Sequence, residues 1–163
     1  MDDAVWLEAL ARVRSDEDDE TRLEAGEVFL AEAARCRIVD RVGRVRVQLR
    51  GGHQVDGALA HDPRVAGHLV VEGRWWSLVP MEAVVVLAGS RPGLNPEDPQ
   101  GERTVGSVLR EMWQSDTTVR VLSAEGGTHV GPLAFVGADH ADLRTASGIL
   151  SLPFASVAAW QRA

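Results

Sequence analysis

The pattern of apolar and polar positions divides the chain into a helical beginning and a longer part rich in strands. Trp6, Leu10 and Val13 recur at helical spacing, and Ser15 before the acidic run 16–20 is typical of a helix N-cap with an acidic first turn. We therefore expect two helices in this arm, the second ending near Cys36. From residue 44 onward the period changes to two, which is typical of β-strands.

The first predicted strand has one apolar face and one cationic face. Apolar side chains occupy every second position of residues 44–50, so they should share the buried side of a sheet. The opposite side is formed almost entirely by guanidinium groups, from Arg44, Arg46 and Arg50, together with Gln48. This alternation predicts an exposed arginine face.

Four further strands are predicted in the segment that follows. The strands cover about residues 55–59, 69–71, 75–79 and 84–87, with a Gly51-Gly52 turn before the first and a short turn at 80–83 before the last. A glycine inside a strand commonly marks a bend, and Gly57 lies inside the second strand. Five short strands in so short a segment favour a small antiparallel barrel.

The same plan is repeated in the second half of the chain. At an offset of 74 positions, residues 45–78 and 119–152 share ten identities. The identical pairs are Val45 and Val119, Arg46 and Arg120, Val47 and Val121, Gly52 and Gly126, Gly57 and Gly131, Leu59 and Leu133, Ala60 and Ala134, Leu69 and Leu143, Ser77 and Ser151, and Leu78 and Leu152. After one deletion, Pro80 aligns with Pro153 and Val84 with Val157. An internal repeat of this kind indicates two copies of one structural unit.

A further helix is predicted before the second copy. Thr104 precedes a segment in which apolar residues recur at the spacing of a helix that lies on a core. These residues are Val105, Val108, Leu109, Met112 and Trp113. Each set of strands is thus preceded by a helix.

These patterns predict a mainly β fold with N-terminal helices and two tandem five-stranded antiparallel barrels. We expect an acidic helical arm at 1–40, a first barrel at 41–89, a proline-rich linker at 90–103, and a helix plus the second barrel at 104–163. The two barrels should pair with each other. An edge strand of one barrel has unpaired backbone groups, and the second barrel, which is joined to it in the same chain, is present at a high effective concentration.

The net charge of −7 is distributed unevenly. Residues 1–40 hold twelve carboxylates and five arginines, whereas residues 41–163 hold twelve of each. The repeated part is therefore neutral, and its net charge shows no basic footprint of the kind typical of nucleic-acid-binding proteins. The acidic run 16–20 is either a solvated helix start or a tether that shields the arginine face or recruits a basic partner.

The sequence predicts a cytoplasmic protein without disulfides. The chain contains no run of eighteen apolar residues, and Met1-Asp2-Asp3 lacks the basic start of a signal peptide. A lone cysteine, Cys36, excludes an internal disulfide and a cysteine-based zinc site within one chain, and we expect it to be a small buried hydrophobe.

Residues that could carry catalysis are sparse. Two loop groups contain metal-ligating side chains, but neither has a characteristic ligand spacing: His61, Asp62 and His68, and Asp139, His140 and Asp142. The serines at 77 and 151 lie inside predicted strands without a glycine elbow, and the glycines at 51–52 and 126–127 lie in hairpin turns. We therefore expect no enzymatic activity, no metal site and no cofactor.

Two adjacent tryptophans stand in the fourth predicted strand. Trp75 and Trp76 should point to opposite faces, so one indole is expected in the core and the other partly exposed. The exposed indole could cover a contact between the barrels or stack on a base or partner.

Three segments resemble the Sm/LSm fold: residues 45–52, Gly57-Ala58-Leu59 and residues 78–84, each with a counterpart in the second copy. The layout is also similar to that of a widespread group of actinobacterial proteins. This resemblance implies ring assembly through edge strands and RNA binding at the loops after the second and fourth strands. The loops depart from the Sm pattern, with Val79-Pro80 and Leu152-Pro153 where Sm proteins carry arginine-glycine. The resemblance thus extends to the fold and not to the uridine pocket.

Two functional classes follow from these observations. The first is a non-catalytic interaction or scaffold protein that binds protein partners and could form a homo-oligomer. The second is an RNA- or DNA-binding regulator that uses the arginine face, an interpretation that depends on analogy with the family. The candidate binding residues in either case are Arg44, Arg46, Arg50, Arg120, Trp76 and His140.

Overall fold

Strands account for most of the chain that the computed structural model describes, namely residues 41–61, 64–92 and 103–163. The strands are β1 (Arg41–Val42), β2 (Arg44–Leu49), β3 (Gln54–Ala60), β4 (His68–Gly73), β5 (Trp76–Pro80), β6 (Val84–Ala88), β7 (Arg91–Pro92), β8 (Thr118–Ser123), β9 (Thr128–Val136), β10 (His140–Thr145), β11 (Gly148–Pro153) and β12 (Val157–Arg162). One helix, α1 (Val105–Gln114), lies between β7 and β8. The predicted mainly β fold is confirmed. The predicted arm 1–40, with Cys36, lies outside the described residues, as do residues 93–102 of the linker.

Ten of the strands form a single antiparallel sheet. Its order is β11-β10-β9-β8-β12-β5-β4-β3-β2-β6, and the short strands β1 and β7 pair separately. Each repeat contributes five neighbouring strands, in which the first strand pairs with both the second and the fifth. The two copies of the sequence repeat therefore form five strands each, arranged in the same order in the sheet.

The two repeats join in the middle of this sheet. Strand β5, the fourth of the first repeat, pairs antiparallel with β12, the fifth of the second repeat. Trp160 lies opposite Leu78, and Gln161 lies opposite Ser77. Since β12 also pairs with β8, its backbone is hydrogen-bonded on both sides. Residues 38–163 accordingly form one compact unit.

The arginine-bearing strand β2 shows how the period-two pattern is used. Val45, Val47 and Leu49 are buried, and the polar residues between them are exposed. Burial of apolar side chains on one face stabilises the sheet, while guanidinium groups stay hydrated on the other.

Two glycines allow neighbouring strands to approach closely. A Cβ atom on Gly57 would lie 2.5 Å from the carbonyl oxygen of Glu72 in β4. A Cβ atom on Gly131 would lie 1.9 Å from the carbonyl oxygen of Arg144 in β10. The sequence predicted a bend at these positions, and the structure adds a physical reason why glycine is needed: the backbone of the next strand occupies the space of a side chain.

Helix α1 begins where the sequence predicted. The hydroxyl of Thr104 accepts a hydrogen bond from the amide of Ser107 at 3.1 Å, which caps the first turn. Val108, Leu109 and Met112 are buried, while Trp113 at the end of the apolar stripe is 39% exposed. The helix packs this stripe mainly against β9.

The core consists of two clusters, and each draws residues from both repeats. One cluster centres on α1 and the second repeat but includes Val65, Val70 and Leu78. The other centres on the first repeat but includes Leu122, Ala158 and Ala159. The repeats therefore share their apolar interior across the β5–β12 pair. Among the described residues, no helix has the length and apolar character needed to span a bilayer.

We expect Gly131→Ala to destabilise the fold by about 1–3 kcal/mol, because the added methyl group would overlap the backbone of β10 and force the strands apart. Urea unfolding followed by tryptophan fluorescence would measure the change in the free energy of unfolding.

Gly127→Ala is the matched control, since its Cβ atom would first meet a side-chain atom of His129, at 3.4 Å. Equal losses in the two variants would contradict the close-approach explanation.

Candidate interaction surfaces and the pocket between the repeats

The arginine face is exposed but partly neutralised by the neighbouring strand. Arg44, Arg46 and Arg50 are all exposed. The Nε atom of Arg46 donates a hydrogen bond to Oδ1 of Asp56 at 2.9 Å. The Nε2 atom of Gln54 donates to Oδ2 of the same carboxylate at 2.6 Å. These bonds from Gln54 and Arg46 lower the pKa of Asp56, so this carboxylate stays charged and offsets one of the three guanidinium groups.

Arg120 occupies a different environment from its counterpart in the first repeat. It is equivalent to Arg46 in the sequence repeat, but it is half-buried and lines a pocket. Its guanidinium group has no hydrogen-bond or ion-pair partner among the described residues. Arg120, a candidate binding residue from the sequence, therefore lies at the pocket and not beside Arg46 on the arginine face.

The pocket lies between the repeats beside the β5–β12 pair and has a volume of about 430 Å³. It is formed by the turn after β2, the first residues of β3, the turn between β4 and β5, and strands β5, β8 and β12. Its lining consists of Gly52, His53, Gln54, Val55, Asp56, Arg74, Trp75, Ser77, Arg120, Leu122 and Gln161. Its volume falls within the range of small-molecule sites, roughly 300–1,000 Å³.

A buried polar pair lies on the wall of the pocket. The Nε2 atom of Gln161 donates a hydrogen bond to the Ser77 hydroxyl at 2.9 Å, and this hydroxyl donates to the Trp75 carbonyl at 3.3 Å. Gln161 is 4% exposed and Ser77 is fully buried. The Oε1 atom of Gln161 has no partner among the described residues. Such an unpaired acceptor is costly in a protein interior, so it marks a place where a further donor would be stabilising.

The turn after β2 also contacts the second repeat directly. The Nε2 atom of His53 lies 3.0 Å from the carbonyl oxygen of Ser123. A Cβ atom on Gly51, whose φ is +77°, would lie 2.6 Å from the amide nitrogen of Gly126. The two glycine turns that the repeat predicted are therefore packed against each other, and this contact fixes one side of the pocket.

The two tryptophans differ from the prediction of one core indole and one partly exposed indole. Both Trp75 and Trp76 are half-buried. Trp76 packs against the core cluster of the second repeat, and the guanidinium of Arg162 lies 4.4 Å from its ring centroid. Trp75 is the last residue of the turn before β5 and lines the pocket, and the guanidinium of Arg74 lies 5.4 Å from its ring centroid. An arginine lies over each indole, but only Trp75 lines the pocket, so Trp75 is the better placed of the two for contact with a ligand there.

His140 lies in a small aromatic patch away from the pocket. Its ring centroid is 5.9 Å from that of Phe135, which is 6.0 Å from that of Trp113. The Nδ1 atom of His140 lies 2.9 Å from Oδ1 of Asp139, and this hydrogen bond lowers the pKa of the Asp139 carboxyl. The patch combines the end of α1 with β9 and β10, and it does not include any of the predicted arginines.

The first candidate metal group is described only at its two histidines, His61 and His68. The Nδ1 atom of His68 lies 2.6 Å from the carbonyl oxygen of Ala66, and burial lowers the pKa of His68. Asp62, the third residue of the group, lies outside the described residues. Across the described ranges no three metal-ligating side chains are grouped closely enough to hold an ion.

Sequence reasoning missed most of the pocket. His53, Arg74 and Gln161 line the pocket but are not among the candidate residues that the sequence provided. The sequence did contain a signal for Gln161, because the equivalent position in the first repeat is Ala88. A side-chain amide in a buried strand needs a hydrogen-bond partner, whereas a methyl group does not. The hydrogen-bond partner of Gln161 is Ser77 of β5, and it becomes visible only once the pairing of β12 with β5 is known.

Comparison with protein-family models, curated proteins and solved structures found no match for this chain. The functional argument therefore rests on the geometry of the described residues.

We expect Ser77→Ala to lower the free energy of unfolding by about 1–3 kcal/mol, because it leaves the buried amide of Gln161 without its acceptor. The repeat supplies the matched control, Ser151→Ala. Ser151 is exposed and donates a hydrogen bond to Asp142 at 2.6 Å, so its loss should cost less than about 1 kcal/mol. Chemical denaturation of both variants measures the difference, and an equal cost would argue against a special role for the buried pair.

Proposed function

We propose that this chain is a non-catalytic interaction protein built on two Sm-like barrels, and that it assembles with further copies of itself through its sheet edges. The observation that carries this proposal is the pair of edge strands, β6 and β11, at the two ends of the ten-stranded sheet. Each pairs with one neighbour among the described residues, which leaves its other side available for a strand of a second chain.

The barrel assignment is supported by features common to both repeats. Each has five strands, a glycine in the second strand and a single 3₁₀ turn before the last, at Met81–Ala83 and Phe154–Ser156. The first strand pairs with the last in both repeats. These are the features on which the sequence resemblance to Sm proteins rests.

The apolar surface of β6 supports pairing at that edge. Val85 is 63% exposed and Val86 is 45% exposed. In the repeat these residues are equivalent to Ala158 and Ala159, which are fully buried in β12 where it pairs with β5. The same positions are thus buried where a neighbour is present and exposed where it is missing.

The other edge has a matching character. Ile149 in β11 is 58% exposed. By the repeat, Leu152 of β11 is equivalent to Leu78 of β5, and Leu87 of β6 is equivalent to Trp160 of β12. A junction between β11 of one chain and β6 of the next would therefore place Leu152 near Leu87, as Leu78 lies opposite Trp160 within the chain. Such a junction is head-to-tail, so it generates rings or filaments.

We expect the protein to have a solution mass that is a multiple of the chain mass, and expect Val85→Lys or Ile149→Lys to reduce it to a single chain. A lysine on an edge strand opposes pairing because its charge would be desolvated. Size-exclusion chromatography with light scattering measures the mass. Val130→Lys is the matched control, since Val130 is 52% exposed but lies in β9, between two neighbours of the sheet.

Mixing the two edge variants provides the sharper test. Val85→Lys retains a working β11 edge and Ile149→Lys retains a working β6 edge, so an equimolar mixture should form a two-chain complex. A complex of either variant with itself would contradict the head-to-tail arrangement, because it would require one edge to pair with its own copy. A monomeric wild-type chain at high concentration would overturn the proposed assembly.

A second candidate function is nucleic-acid binding by the arginine face. The observation in its favour is that Arg44 and Arg46 are exposed on β2 and Arg50 is exposed in the turn that follows. The hydrogen-bonded Asp56 weighs against it, because it neutralises part of that charge. The neutral net charge of residues 41–163 weighs against it as well. We therefore place it second.

If the arginine face binds nucleic acid, Arg44→Glu combined with Arg50→Glu should weaken binding at least about tenfold and reduce its salt dependence. The salt dependence falls because a protein that makes fewer phosphate contacts releases fewer counterions when it binds. Fluorescence anisotropy with labelled single-stranded RNA, single-stranded DNA and duplex DNA across a salt series measures both effects. Arg46 is left in place so that its bond with Asp56 is preserved. The control is Arg144→Glu, an exposed arginine of β10; an equal loss there would indicate non-specific charge attraction.

A further inference from the structure

The pocket between the repeats has a positively charged lining. Arg74 and Arg120 both line it, and the one carboxylate of the lining, Asp56, already accepts hydrogen bonds on both oxygens from Arg46 and Gln54. Arg120 is half-buried and makes no ion pair with any described residue. A partly desolvated guanidinium without a counter-charge attracts an anion more strongly than one in water.

The anion that fits is one that arginines recognise by geometry. A guanidinium group presents parallel N–H donors that match the oxygens of a phosphate or carboxylate. The pocket volume of about 430 Å³ is larger than a single anionic group requires, so the remaining space would hold the rest of a small molecule. The ligand should therefore combine a phosphate or carboxylate group with a substantial organic part.

A further residue defines that organic part. Trp75, also in the lining, is half-buried and offers an indole next to the guanidinium of Arg74. Indole and guanidinium planes together are the surfaces on which a nucleobase stacks.

We propose that this pocket binds a nucleoside monophosphate, with its phosphate on Arg74 and Arg120 and its base against Trp75. The site is complete within one chain, because all of its residues come from the two repeats of that chain. It therefore stands independently of the proposed assembly. The turn that carries His53 packs on Ser123, so the pocket is formed before the ligand enters.

The test is isothermal titration calorimetry of the full chain with AMP, GMP, CMP and UMP, each measured separately. We expect at least one of them to bind with a dissociation constant below about 100 μM, and expect the corresponding nucleoside to bind at least tenfold more weakly because it lacks the phosphate. Arg74→Gln should weaken the nucleotide at least tenfold, and Arg74 is exposed, so this change should not disturb folding. Arg120→Gln should have the same effect, with the unfolding midpoint measured in parallel.

Arg144→Gln is the control for charge alone, since Arg144 is exposed in β10 and does not line the pocket. Equal weakening by Arg144→Gln and Arg74→Gln would overturn the site assignment. The absence of binding by all four nucleotides at millimolar concentration would overturn the proposal. Binding of a single-stranded RNA octamer without binding of any mononucleotide would overturn it as well, because the site is proposed for a phosphate monoester.

Discussion

The pairing of β5 with β12 is the constraint on which the rest of this structure depends. It lies at the centre of the ten-stranded sheet and is the junction at which strands of the two repeats pair. Trp160, the largest fully buried side chain, lies opposite Leu78 in this pair. A strand that is paired on both sides and covered on both faces loses all contact with water, which explains why residues 157–161 of β12 are buried without interruption.

This junction also determines how the apolar interior is shared. Leu78 and Val79, consecutive residues of β5, belong to different core clusters because successive side chains point to opposite faces of a strand. The small side chains of Ala158 and Ala159 let the first repeat pack closely on β12. Neither half of the chain buries its apolar residues alone, which fits the finding that residues 38–163 form one unit.

Equivalent residues of the two repeats have acquired different roles because their positions relative to the junction differ. Ser77 is fully buried and bonded to Gln161, whereas its counterpart Ser151 is exposed at the edge strand β11. Arg46 bonds Asp56 on the outer face of the sheet, whereas Arg120 lines the pocket. A duplicated unit with one internal junction has two unequal environments, so the same residue can lie on an exposed face in one copy and line a pocket in the other.

Local sequence patterns determined the strands, the helix and the repeat. Alternation in residues 44–50 predicted a strand with buried valines and exposed arginines, and Thr104 with the apolar stripe after it predicted α1, because both signals depend on the periodicity of the backbone itself. The tertiary structure alone decided which strands pair between repeats, and with it the half-buried tryptophans, the position of Arg120 and the partner of Gln161. These features involve residues as far apart as 84 positions, and no local period records which distant strand will supply the neighbouring hydrogen bonds.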